Sequence, residues 1–105
     1  MGAVRQKPAR LAEKLSAIRI ALDLSQNELI RKIGLSGDLT QARISAYERD
    51  LREPTLAVLL AYARLAGVYV DVLIDDDLDL PPRLPAKPTS EGIRKRHRSM
   101  FTPKR

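Results

Sequence analysis

Apolar residues recur through the first part of the chain at helical spacing. Leu11, Leu15, Ile18 and Leu22 lie four, three and four positions apart, which puts them on one stripe of a helix. The pattern predicts a helix from Pro8 to about Asp23, with Pro8 in a first turn, where a missing N–H costs nothing. Ser25 and Glu28 have the spacing of a capping box, in which a hydroxyl and a carboxylate satisfy the orphan amides of a helix start. Leu29, Ile30 and Ile33 then form an apolar face, and Gly34 ends it, because glycine accepts the left-handed conformation that closes many helices. Ser36 to Leu39 reads as a turn, and Thr40 as the cap of a third helix reaching Glu48 with Ile44 and Tyr47 inward. Asp50 to Pro54 is a polar loop that Pro54 stops from continuing as helix. Thr55 is placed to cap a fourth helix. Its stripe is expected to be Leu56, Leu59, Leu60, Ala63 and Ala66, with Gly67 as the stop.

Beyond Gly67 the pattern divides. Val68, Val70, Val72 and Ile74 alternate, which suits a strand. A lone strand in a helical chain would need a copy of itself as partner, and a short fifth helix is the competing reading. After Asp75 no period survives. Pro81, Pro82, Pro85 and Pro88 interrupt regular structure and large apolar residues are few, so a flexible, proline-extended tail is expected. The organisation is thus a short arm over residues 1–7, a single domain over 8–77 and a Pro-containing basic tail over 78–105.

Charge sharpens this division. The chain of 105 residues carries a formal +6. Residues 81–105 alone hold eight Lys/Arg against one Glu, while residues 1–80 balance to −1. Five of the acids in that first part fall between Asp71 and Asp79. A mildly basic body, an acidic joint and a basic tail point to polyanionic partners, nucleic acid or an anionic surface. Cysteine is absent and the single histidine, His97, sits in the tail. Disulfides, thiolate metal sites and cysteine nucleophiles are thereby excluded. No nucleophile–base pair and no phosphate-cradling glycine loop is visible, so neither an enzyme nor a cofactor is expected. Asp75, Asp76, Asp77 and Asp79 offer oxygen ligands, but an acidic run at a domain edge is ordinarily solvated, and no metal is expected. No apolar run reaches the roughly 20 residues of a membrane span. Met1 to Arg10 has basic residues without an apolar stretch behind them, which argues against a secretory signal. A cytoplasmic protein is the expectation.

The chemistry lies in the paired short helices around the Gly34 turn. Such a pair can set its first helix across a DNA backbone and its second in the major groove. Gln41, Ala42, Arg43, Ser45 and Ala46 are the outward positions near the start of the third helix. Glutamine pairs with adenine, arginine with guanine, and an alanine methyl meets thymine. Any solvated helix also carries such residues, so composition alone does not decide the matter.

Three motifs together do more. The run from Ser25 to Leu35, the Ile44-Ser-Ala-Tyr-Glu-Arg49 segment and Arg52-Glu-Pro-Thr-Leu56 resemble the Cro/phage-repressor (Xre-like) helix-turn-helix family over about residues 11–75. The resemblance implies an all-α fold: a compact five-helix repressor-like bundle, with the flexible C-terminal tail beyond it. It ranks helix above strand for 68–74. It implies a sequence-specific transcriptional regulator of bacterial or phage type, most simply a repressor, binding double-stranded DNA as a homodimer. By position, Gln26 and its neighbour Asn27 would meet phosphate and the edge of the site. Gln41, Ala42, Arg43, Ser45 and Ala46 would face bases, and Arg49 and Arg52 would touch the backbone. Arg19 and Glu48 match a structural salt bridge between the first and third helices. Tyr69 and Val72, near or on the last helix, are candidates for the dimer contact. One departure stands out: Ser36 to Leu39 are four residues more than the family's turn usually holds, which puts the angle between the two helices in question. They also set Asp38 near the DNA side, where a carboxylate repels phosphate or caps the third helix.

Arg94, Lys95, Arg96 and Arg98 form a run suited to following phosphates with release of counterions, although RNA or an anionic membrane would attract it equally. The acidic joint could hold that run when DNA is absent. The alternative function is an antitoxin or adaptor that uses the same fold, with the tail folding on a partner protein.

Overall fold

The computed structural model describes residues 7–35 and 39–86. Five helices follow in order: α1 (Leu11–Ala21), α2 (Gln26–Ile33), α3 (Gln41–Glu48), α4 (Leu56–Ala66) and α5 (Val70–Ile74). Among the described residues there is no strand. No helix among them is long and apolar enough to cross a membrane. The core takes Leu11, Leu15 and Ile18 from α1, Leu29 from α2 and Ile44 and Tyr47 from α3. Val58, Leu59, Tyr62, Ala63 and Ala66 join it from α4, and Leu73 from α5. Helix α1 packs on α3, α4 and α5, and α2 packs on α3 and α4. The central α1–α4 pair therefore holds the two short helices that follow α1 at a defined tilt.

The helix ends show how local chemistry sets these lengths. Ser25, Thr40 and Thr55 each accept the amide three residues on, satisfying donors that a helix start leaves bare. Gly34 and Gly67 adopt left-handed φ values of 74° and 75°. Two further ends use aspartate in that role. Asp23 has φ 59° and Asp50 φ 60°. Behind them the Leu24 amide reaches the Arg19 carbonyl at 3.1 Å and the Leu51 amide the Ala46 carbonyl at 2.8 Å. Both are Schellman closures, which glycine commonly makes and aspartate tolerates.

Three expectations need correction. Helix α1 begins at Leu11 rather than near Pro8. Arg10 gives it no side-chain cap; instead the Asp76 carboxylate accepts the Ala9 and Arg10 amides at 2.9 and 3.0 Å. The stripe on α4 is turned from the expected one: Leu56 and Leu60 are exposed, while Val58 and Tyr62 are buried. A helix with apolar residues nearly all round allows either face inward, and packing against both α2 and α5 selects this one. For 68–74 the short helix that the resemblance ranks above a strand is the element that forms. With no neighbouring strand to take its amides the segment closes its own hydrogen bonds as α5, and one side chain, Leu73, is fully buried. The segment after residue 77 lies on the body at least to residue 86. Leu80 and Leu84 pack against the core, and the Ala86 amide donates to the Ala66 carbonyl at 2.7 Å.

A buried lysine that the apolar pattern passes over secures this closure. Lys14 is 1% exposed. Its ammonium donates to the carbonyls of Val72, Asp75 and Leu78 at 2.8, 3.0 and 2.7 Å. An ammonium has three donors, and all three are used on carbonyls in and after α5.

Candidate nucleic-acid interface

The site is built on the start of α2 and the outer face of α3. At the α2 start the Ser25 hydroxyl accepts the Glu28 amide at 3.0 Å, and the Glu28 carboxylate accepts the Ser25 amide at 2.7 Å. That backbone hydrogen bond, helped by the hydroxyl, holds the Glu28 carboxyl below its usual pKa. The box fixes the next residues, Gln26 and Asn27, at the head of the helix. Asn27 is exposed and Gln26 is half-buried.

Helix α3 starts from Thr40, whose hydroxyl accepts the Arg43 amide at 3.2 Å. Ile44 and Tyr47 point into the core. Gln41 and Ala42 are then exposed and Arg43, Ser45 and Ala46 half-buried on the opposite side. Arg49 and Arg52 are exposed in the loop beyond. That loop is braced by Lys7, whose ammonium meets the Asp50 carboxylate at 3.0 Å.

Arg19 and Glu48 join α1 to the end of α3. The Arg19 guanidinium donates through Nε and Nη2 to the two Glu48 oxygens at 2.7 and 3.1 Å. A third donor, Nη1, reaches the Leu24 carbonyl at 2.9 Å. Two parallel bonds to one carboxylate fix direction as well as distance. The side chains are 19% and 7% exposed, so solvent screens the pair weakly. Hydrogen bonding to Glu48 holds the guanidinium pKa above its ordinary value. Tyr62 lies near the pair; burial first, then the Glu48 charge, raises its hydroxyl pKa.

Two hydrogen bonds extend the pair outward, and sequence reasoning missed both. The Gln26 amide donates to Glu48 Oε1 at 3.4 Å, and the Gln41 amide donates to Gln26 Oε1 at 3.3 Å. A continuous polar chain therefore runs from Arg19 through Glu48 and Gln26 to Gln41, across three helices. No local spacing signals it, because Gln26 and Gln41 lie on different helices, 15 residues apart. Of the turn residues read as additional to the family's pattern, Leu39 is buried in the core. Asp38 falls outside the described residues, as do Arg94, Lys95, Arg96 and Arg98. Two carboxylates of the acidic joint, by contrast, are engaged at the start of α1. Asp76 holds the first amides, and the Asp79 carboxylate meets Arg10 Nη2 at 2.8 Å.

A helix-turn-helix family model matches residues 15–73, more than half of the chain. The chain belongs to the Xre/Cro-like helix-turn-helix family. Membership makes it a DNA-binding regulator of the Xre type. Its fold is similar to one chain of a solved SinR protein/SinI protein complex. That likeness has a TM-score of 0.56 at 20% identity and covers 88% of this chain and 80% of the other. No curated protein gives a significant match to the sequence.

Proposed function

We propose that the protein is a sequence-specific transcriptional repressor that lays α3 in the major groove and binds as a homodimer. The polar chain from Arg19 to Gln41 carries this reading. It locks the two short helices to each other and leaves Gln41, Ala42 and Arg43 on one outward face, at the helix start that a groove-bound helix presents to bases. Ser45 and Ala46 are small enough to let that face come close. Gln26 and Asn27 at the head of α2, with Arg49 and Arg52 beyond α3, are placed to take backbone phosphates on either side. Repression then follows from occupancy, since a protein bound over a promoter excludes the polymerase. The dimer contact is assigned to the α4–α5 side. Tyr69 and Val72 are half-buried there, whereas Leu56, Leu60 and Ile74 present exposed apolar surface at 83%, 40% and 44%.

Selection of bound sequences from random duplex DNA by the full-length protein tests the reading. An inverted repeat is expected, with binding lost when Gln41→Ala and Arg43→Ala are combined. Replacing Arg94, Lys95, Arg96 and Arg98 by glutamine should weaken all sequences evenly. It should also flatten the salt dependence by about one unit of slope for each phosphate no longer neutralised. Failure to enrich any sequence would sink the proposal. Retention of a co-purifying protein by the intact tail, with DNA binding untouched by the α3 changes, would instead establish the adaptor or antitoxin role. The SinR protein/SinI protein neighbour is itself a complex of two proteins, which makes that outcome worth measuring.

A further inference from the structure

We infer that the basic end of this chain has a holding site on its own body. When no DNA is present, the run of residues 94–98 lies along the acidic rim of a groove between the starts of α1 and α4 and helix α5, and Met100 and Phe101 enter the groove itself. The contact is intramolecular, and DNA phosphates compete for the same cations. Only that competition rests on the proposed DNA-binding function.

The groove has a volume of about 650 Å³. Its floor is apolar, with Pro8 and Leu11 at the start of α1, Leu56 and Leu59 on α4, and Val70 and Ile74 on α5. Leu56 and Ile74 are exposed there, and exposed apolar surface rimmed by polar groups marks a site of interaction. The rim is acidic. Glu53 and Asp76 line the groove, and Asp75 and Asp77 flank Asp76 and are exposed. No cation among the described residues pairs with Asp75 or Asp77. Lys7, the one cation in the lining, meets Asp50 at 3.0 Å.

An occupant that suits both surfaces is apolar and cationic together. The chain beyond Ala86 supplies that combination: Arg94, Lys95, Arg96 and Arg98 are followed by Met100 and by Phe101, the only phenylalanine of the protein. The place where the described chain ends also fits. The Ala86 amide donates to the Ala66 carbonyl, and Ala86 lies against Gly67, three residues before Val70 in the groove lining. Three residues span at most about 11 Å, and the linker of residues 87–93 at most about 25 Å, so the run reaches the rim. A short tether gives an effective concentration in the millimolar range, which fills a contact too weak to form between separate molecules. Duplex DNA carries one charge per about 1.7 Å of its axis, far denser than two exposed aspartates, so DNA draws the run away. The tail therefore adds to DNA affinity only what remains after it leaves the groove. Leu60, Tyr69 and Val72 lie outside the lining and stay available for the dimer contact.

The lack of cysteine makes Thr102→Cys a single attachment point for a nitroxide label on the full-length chain. Without DNA, the label should broaden the backbone amide signals of Leu56, Val70, Ile74 and Asp77 in nuclear magnetic resonance spectra, and more so than those of Gln41 and Ala42 on α3. Asp75→Asn combined with Asp77→Asn should remove most of that loss of signal. Met100→Ser combined with Phe101→Ser, in the same labelled chain, should do so too. Neither pair touches a buried side chain of the body, and melting checks that each variant is folded. Adding a random-sequence duplex to the wild-type labelled chain should restore the signals. A mixture of nitroxide-labelled protein with isotope-labelled protein that carries no nitroxide should show no broadening.

The inference is overturned if the loss of signal is even over the body, is strongest on α3, or survives either pair of substitutions. Broadening in the mixed sample would put the tail on a second copy and overturn the intramolecular contact. Signals that stay broadened with the duplex bound would overturn the competition. If the duplex does not bind at all, the proposed DNA-binding function fails, while the spectra without DNA still decide the groove contact.

Discussion

Helix α1 carries a polar network at each end, and the two networks use their hydrogen bonds differently. Toward its start, Lys14 and Asp76 bind main chain: three carbonyls in and after α5 for the one, two amides at the head of α1 for the other. Near its finish, Arg19 binds mainly a side chain, Glu48, which passes the connection to Gln26 and Gln41. Main-chain groups are the same whatever the sequence and lead nowhere further, so the first network only closes the fold. Side-chain amides have a second face, so the other network ends in free groups pointing outward. On the proposed function, stability and recognition are separated along one helix, and substitutions at its two ends should fail in different ways.

The sharpest break is Lys14→Met, which keeps the bulk and removes the donors. The carbonyls of Val72, Asp75 and Leu78 lose their partner at a buried position, and each unsatisfied buried polar group costs about 1–3 kcal/mol. Some relaxation toward water is available, so a loss of about 3 kcal/mol in urea unfolding is expected. The fraction still folded should bind DNA with unchanged sequence preference. An altered preference would show that the two networks are coupled.

At the other end, Arg19→Met leaves the Glu48 carboxylate nearly buried with only Gln26 to donate to it. Removing one partner of a well-buried pair costs several kcal/mol, and the partial exposure of Arg19 reduces this to about 2 kcal/mol. Here the losses should not separate cleanly. The base choice at the Gln41 position should blur in the same variant whose melting temperature falls. A fall in stability with the choice intact would remove Glu48 from recognition.

The two glycine stops give a smaller contrast that bears on where the domain ends. Gly34 and Gly67 have nearly the same positive φ, so alanine incurs about 1 kcal/mol of left-handed strain at either. A Cβ at Gly34 meets nothing within 4 Å. A Cβ at Gly67 would run into the Ala86 backbone carbonyl, which cannot move aside as a side-chain tip can. Gly67→Ala should therefore cost clearly more than Gly34→Ala in thermal unfolding, and it should raise amide exchange at Ala86. Equal costs would mean that the segment through Ala86 adds little to the body.

Much of this could be read from the chain. The helices whose starts carry Ser25, Thr40 and Thr55, and whose stops carry Gly34 and Gly67, were legible because caps are local chemistry. Ile44 and Tyr47 inward implied Gln41, Ala42, Arg43, Ser45 and Ala46 outward. Matters settled by distant packing were not. Leu56 and Leu60 look as apolar as Val58 and Tyr62, and their neighbours decide which pair is buried. Lys14 interrupts an apolar stripe and looks like a solvated charge until α5 places three carbonyls around it. Asp23 and Asp50 end helices in a conformation usually marked by glycine, so they gave no stop signal. The Gln26–Gln41 hydrogen bond joins two helices at positions 15 residues apart, a separation that no local pattern signals.

The smallest effect expected lies at Asp76 and is best seen through pH. Its carboxyl pKa is lowered first by the Ala9 amide and then by the Arg10 amide. A group with a lower pKa in the folded state contributes stability that is fully present above the unfolded value, near 3.8, and is lost as the pH falls through the lower folded value. In wild type the melting temperature should therefore drop more steeply below about pH 4 than in Asp76→Asn. At neutral pH the variant should melt slightly lower, because a neutral amide caps α1 less well than a carboxylate at the positive end of the helix dipole. The two curves should converge in acid. Since Asp76 lies in the main-chain network, base choice should be the same in both proteins at every pH where they fold. Parallel curves across that range would show that the α1 start does not depend on the Asp76 charge.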